Sequence, residues 1–146
     1  MLLFEGLVSG LAAGIFMGLI SHAGFKARIF RSSLLIIDGS FTLKSLRIQY
    51  DEQRSVLLGI TVHLLTSISF GLAYALLVNI THLEPTNGWL ISLYVFVLWL
   101  SMIFVALPVA GHGFLGKRLG ASIWFEQLIL HIIFGIGLWS TLHLLQ

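Results

Sequence analysis

The sequence predicts an all-α integral membrane protein, a bundle of four transmembrane helices, and three observations lead there. Of its 146 residues 58% are hydrophobic and only 10% are charged, with a mean hydropathy of +1.00. An ordinary soluble domain has about a quarter of its residues charged. Four apolar stretches, residues 2–21, 56–80, 89–109 and 122–145, each reach the roughly 20 residues that a helix needs to cross a hydrocarbon core. The third observation is that Lys and Arg fall in the connections between these stretches. The length suits a single membrane domain over residues 1–146.

The first span has no Lys or Arg before it, as a cleavable signal would need, and reads as retained. Gly6, Gly10, Gly14 and Gly18 recur at every fourth residue, which puts them on one helix face and invites close approach of a neighbouring backbone. Residues 23–54 carry Lys26, Arg28, Arg31, Lys44, Arg47 and Arg54 among apolar residues. The run Leu34 to Ile37 is too short to span, so this segment is expected to lie along the cytoplasmic membrane surface as one or two interfacial helices broken near Asp38-Gly39.

After the second span, residues 81–88 hold Pro85, Asn87 and Gly88 and no basic residue, and form a turn. The connection after the third span holds Lys117 and Arg118. Basic residues mark the cytoplasmic side, giving an N-out, C-out topology. Trp89, Trp124 and Trp139 fall near span ends, where amphipathic rings favour the headgroup zone, and Trp99 is the exception in mid-span. Pro108 cannot donate a backbone hydrogen bond and is expected to kink the third helix or precede its end.

The third-span exit Gly111-His112-Gly113-Phe114 repeats the pattern Ser21-His22-Ala23-Gly24-Phe25 that ends the first, each followed by Lys and Arg. The chain thus reads as two duplicated helix hairpins, the first with the longer cytoplasmic linker. His63 of the second span and His131 of the fourth then lie on parallel helices, about 12 to 15 Å of helix rise from the cytoplasmic ends.

An ionisable side chain inside the membrane points either to function or to an interhelical partner. His63 and His131 are therefore the candidate cofactor-binding residues. Three readings compete: packing through a hydrogen bond to a neighbouring helix, axial ligation of one haem b, and a quinone site with one His and aromatic walls such as Phe70, Phe134 or Tyr74. The packing reading calls for no cofactor. His22 and His112 lack metal-ligand spacing, and no metal site is expected. Glu126 is placed to pair with Lys117 or Arg118 or with a partner chain.

The absence of cysteine excludes disulfides, thiolate metal sites and cysteine nucleophiles. A calculated pI near 9.3 rests on eight Lys and Arg against six Asp and Glu. That excess orients a membrane protein and does not suggest nucleic acid. No serine nucleophile motif, phosphate loop or pair of embedded carboxylates is present, so no catalytic residues are expected.

Three segments together carry a family resemblance: Gly6-Leu7-Val8-Ser9-Gly10-Leu11-Ala12-Ala13-Gly14, Leu107-Pro108-Val109-Ala110-Gly111-His112-Gly113-Phe114-Leu115-Gly116, and Leu130-His131-Ile132-Ile133-Phe134-Gly135. They resemble the small four-span bacterial inner-membrane proteins of the YagU-like, domain-of-unknown-function type. The resemblance implies a four-helix membrane protein of the bacterial inner membrane, and it brings no catalytic residues. The functional expectation is a non-catalytic subunit in the lipid bilayer, packed with other membrane protein subunits in a respiratory or other electron-transfer complex. A haem b or quinone carrier using His63 and His131 is the alternative, and a small homo-oligomeric channel or carrier comes third.

Overall fold

The computed structural model describes residues 2–146. Its helices are α1 (Leu2–Lys26), α2 (Leu34–Ser45), α3 (Glu52–Thr81), α4 (Gly88–Val109) and α5 (Ile123–Leu145). Among the described residues, α1, α3, α4 and α5 are the four that are long and apolar enough to cross a membrane. The chain is an all-helical integral membrane protein.

Local chemistry fixes several helix ends. Asp51 caps α3 by accepting from the Arg54 N–H at 2.8 Å, and Asn87 caps α4 by accepting from Leu90 N–H at 3.0 Å. His82 ends α3 in the left-handed conformation, φ +55°.

Small residues decide how the helices pack. The glycine face of α1 lies on α3, where Ser67 and Gly71 continue a stripe of every-fourth residues that also holds His63 and Ala75. A side chain on Gly71 would strike the Gly6 carbonyl and stand 2.7 Å from Gly10 Cα. The Gly18 face lies under the His63 ring, whose Cδ2 would be 3.2 Å from an added Cβ. Gly6 thus meets Gly71 and Gly18 meets His63, so the two helices run antiparallel. Lipid is as apolar as leucine, and such close approach replaces the hydrophobic effect as the source of association.

On its other side α1 meets α5, where Gly137 backs onto Ala13. There α5 buries Leu130, Phe134, Leu138 and Leu142, four residues apart, on a single face. Helix α4 packs on α5, with Val95 against Gly135. The two hairpins are therefore not packed equivalently: α1 is central to the bundle, whereas α4 is peripheral. Helices α3 and α4 meet near the end bearing the termini, where the Tyr74 and Tyr94 rings lie 5.2 Å apart and the Tyr94 hydroxyl donates to the Phe70 carbonyl at 2.7 Å.

The segment 23–54 departs from the surface-lying expectation. Helix α1 continues to Lys26, which pairs with Glu52 at 3.2 Å, and the chain then turns back into the bundle. Two groups draw it there. The Arg31 N–H donates to Glu126 Oε2 at 3.0 Å, and the Leu34 N–H donates to Ser21 Oγ at 2.9 Å. Glu126 is thus used by the backbone at Arg31 and by the Ser122 hydroxyl at 2.8 Å, and not by Lys117 or Arg118.

From there α2 runs as one unbroken helix through Asp38 and Gly39, antiparallel to α3. Gly39 does not break it. A Cβ there would collide with the Ser55 carbonyl, and one on Gly59 would collide with that of Leu35, so these glycines let the two backbones touch. Leu34, Leu35, Ile37 and Leu43 are buried by this packing.

Near its end α4 widens into a π-helical turn at Met102–Ala106, just before Pro108. The Leu107 N–H reaches back to the Met102 carbonyl, five residues away. A proline cannot donate to the fourth carbonyl behind it, and the wider turn absorbs that lost bond. Mid-span Trp99 is also accounted for, because its indole N–H donates to the Trp124 carbonyl at 3.0 Å.

All eight Lys and Arg lie at or beyond the helix ends opposite the termini. That end is the basic end of the bundle.

Candidate functional site

Toward the basic end α3 and α4 diverge, and α2 borders the gap. The result is a cleft of about 450 Å³ whose wall is apolar except for a few groups. Its rim residues Phe41, Thr66, Val105 and Val109 are exposed along the sides of α2, α3 and α4, so the cleft opens on the flank of the bundle. Phe70 and Phe134, edge to face with centroids 6.5 Å apart, border it from α3 and α5. Tyr74 lies outside it, in the packing toward the termini.

His63 and His131 both line this cleft, with 7% and 5% of their surface exposed. The side chain of His63 bridges three helices. Its Nε2 lies 3.1 Å from the Gly14 carbonyl of α1, and its Nδ1 lies 3.4 Å from Asp38 Oδ2 of α2. A carbonyl only accepts, so Nε2 carries a hydrogen and donates. The other nitrogen faces the Asp38 carboxylate.

His131 is held differently. Its Nδ1 donates to the Gln127 carbonyl one turn back at 2.7 Å, which leaves Nε2 with a lone pair. No described residue hydrogen-bonds that nitrogen. The cleft thus holds a fixed acceptor at His131 and a close polar pair at Asp38 and His63. An iron at His63 Nε2 would have to displace the Gly14 carbonyl, so bis-imidazole ligation of haem b does not fit this arrangement.

The glycines Gly6, Gly10, Gly14 and Gly18 act behind the site and not in it. Gly14 supplies the carbonyl that orients His63, and Gly18 the flat surface under its ring. Asp38 is the cleft residue that the linear sequence conceals, because it sits in a segment too short to span. The available signal was the small residues Ser55 and Gly59 at four-residue spacing, with Gly39 opposite them.

His22 and His112 stand apart from this cleft. His22 Nδ1 lies 3.1 Å from Ser33 Oγ at the α1–α2 turn. His112 lies in the α4–α5 loop, and burial, followed by the nearby Lys44 and Arg118 charges, pushes its pKa below the ordinary 6.5. A histidine whose folded pKa is depressed adds stability above its unfolded pKa and loses it as pH falls through 6.5 toward the folded value. Acidification from neutral pH is therefore expected to destabilise the wild type more than His112→Gln, read as the difference between their melting curves. No group of three or more His, Asp or Glu among the described residues is arranged to hold a metal.

Fold and site together define a four-helix membrane protein with a short fifth helix, α2, packed against α3 and a mostly apolar cleft holding a few polar groups. No protein-family profile, curated protein or solved structure matches the chain.

Proposed function

We propose that the protein is a non-catalytic membrane protein that binds a lipid-soluble ligand of the quinone class in the α2–α3–α4 cleft. The observation that carries this reading is the convergence of Asp38, His63 and His131 on an otherwise apolar cleft open to the bilayer. A quinol hydroxyl donates to His131 Nε2, the ring lies beside Phe70 and Phe134, and the tail leaves past Val105 toward lipid. Pockets of this size, mostly apolar with a few placed polar groups, are the usual form of small-molecule sites. The basic end belongs on the cytoplasmic side by the distribution of Lys and Arg. The YagU-like resemblance supports a bacterial inner membrane.

Titration of the purified protein in detergent with a short-chain quinol, followed by calorimetry, tests the proposal. Saturable binding is expected, weakened roughly five- to tenfold by His131→Leu through loss of one hydrogen bond. Absence of binding by the wild type rejects it. A Soret band in the purified protein would instead support the haem alternative.

The accessory-subunit reading is supported by a second, apolar groove of about 420 Å³ between α4 and α5, lined by Val95, Phe96, Ile132 and Trp139. A partner helix seated there would co-purify from native membranes. The channel reading has no comparable support, because the cleft opens sideways.

A further inference from the structure

The basic end gathers positive charge at a particular place. Lys44, in the last turn of α2, puts its Nζ 3.3 Å from where a side chain on Gly111 would begin. Arg118 donates from Nη1 to the carbonyl of that same residue at 2.9 Å. Two cations from distant parts of the chain thus share one residue, and no carboxylate among the described residues lies within ion-pairing distance of either.

The backbone that assembles them is held in a tight turn. Gly111 and Gly113 adopt φ of +86° and +75°, which L side chains rarely tolerate. His112 N–H donates to the Leu107 carbonyl at 2.8 Å, and its own carbonyl accepts from Arg118 N–H at 3.1 Å. Near both cations, His112 Nε2 is shielded from solvent and has no hydrogen-bond partner among the described residues. Like charges held together without a counter-ion repel, and one anion resolves the repulsion.

The apolar cleft reaches this cluster, because Val109, Ala110 and Phe41 continue its wall to the residue before Gly111 and the turn before Lys44. We propose that Lys44 and Arg118 bind the phosphate of an anionic phospholipid, one of whose acyl chains follows the rim at Phe41 and Val109. Basic pockets between membrane helices suit such headgroups, and each Lys or Arg near the surface contributes about fivefold in affinity. The phosphate stands over the Gly111 turn and bridges Lys44 and Arg118. This site is independent of the quinone reading, since it uses neither Asp38, His63 nor His131.

Native mass spectrometry of the full chain in detergent, with phosphatidylglycerol and phosphatidylcholine at equal concentration, tests the assignment. Retention of phosphatidylglycerol over phosphatidylcholine by about fivefold or more is expected, reduced about fivefold by Lys44→Gln or by Arg118→Gln. Lys44 is exposed and makes no hydrogen bond in the fold, so Lys44→Gln remains informative if loss of the Arg118 bond disturbs the loop. Arg54→Gln, an exposed cation at the same end but outside the cluster, is expected to leave the preference unchanged. Equal retention of both lipids by the wild type overturns the proposal. So does an equal loss in Arg54→Gln, which would assign the preference to general surface charge. Displacement of the lipid by excess inorganic phosphate would assign the site to a free anion and overturn the lipid.

Discussion

Gly71→Val is expected to destabilise the bundle by about 3 kcal/mol, at the upper end of what overpacking ordinarily costs. The added carbons meet the Gly6 carbonyl and the Gly10 Cα and N, which are backbone atoms of α1 and cannot rotate away. Relief requires α1 and α3 to separate along their whole contact, which also loosens the Gly14 carbonyl from His63. Reversible unfolding in mixed detergent micelles, followed by helical circular dichroism, measures the loss. Gly88→Ala is the matched control, because nothing lies within 4 Å of its added Cβ. There the unfolded chain loses entropy without strain in the fold, and a gain of about 0.5 kcal/mol is expected. Similar effects at both positions would refute the tight α1–α3 approach.

The second large effect concerns the polar floor of the cleft. His63→Leu and Asp38→Asn are each expected to cost about 2 kcal/mol, less than a fully buried ion pair because a quarter of the Asp38 side chain, 26%, is exposed. The double variant is expected to lose at least 1 kcal/mol less than the sum of the two, the coupling typical of residues in direct contact. The same micelle unfolding measures it. Strict additivity would mean that α2 does not bring Asp38 to His63. Quinol binding provides a second readout, since His131 and its Gln127 partner remain intact in all three variants.

Much of this architecture is legible in the amino-acid order because it is written locally. A span of about 20 apolar residues has to be a helix in lipid, where every backbone polar group needs an internal partner. Four glycines at intervals of four announce a close neighbour. His63 and His131 are marked as exceptional by their apolar surroundings alone. The re-entry of α2 is different, because it depends on partners far along the chain. The Glu126 carboxylate holds Arg31 across 95 residues, and the Ser21 hydroxyl caps a helix that begins 13 residues later. Locally, Leu34 to Ile37 is only a short apolar run followed by an acid and a glycine, which reads as a break. The stripe Ser55, Gly59, His63, Ser67, Gly71 and Ala75 carries the missing information. It is longer than the glycine face of α1 can cover, so a second helix has to lie on its Ser55–Gly59 end, and that helix brings Asp38.

The π turn at Met102–Ala106 makes the cleft a matter of reading frame. One residue of an α-helix is about 100° of rotation. A π turn is in effect one residue more than the helix around it requires. Removing any single residue from Met102 to Ala106 would let α4 close into a regular helix and swing everything beyond it by about a quarter of a circle. Val109 and Ala110 would then leave the cleft wall, and the Gly111 turn would no longer meet Lys44. The shape of the basic end is thus encoded less by which residues occupy this stretch than by how many there are.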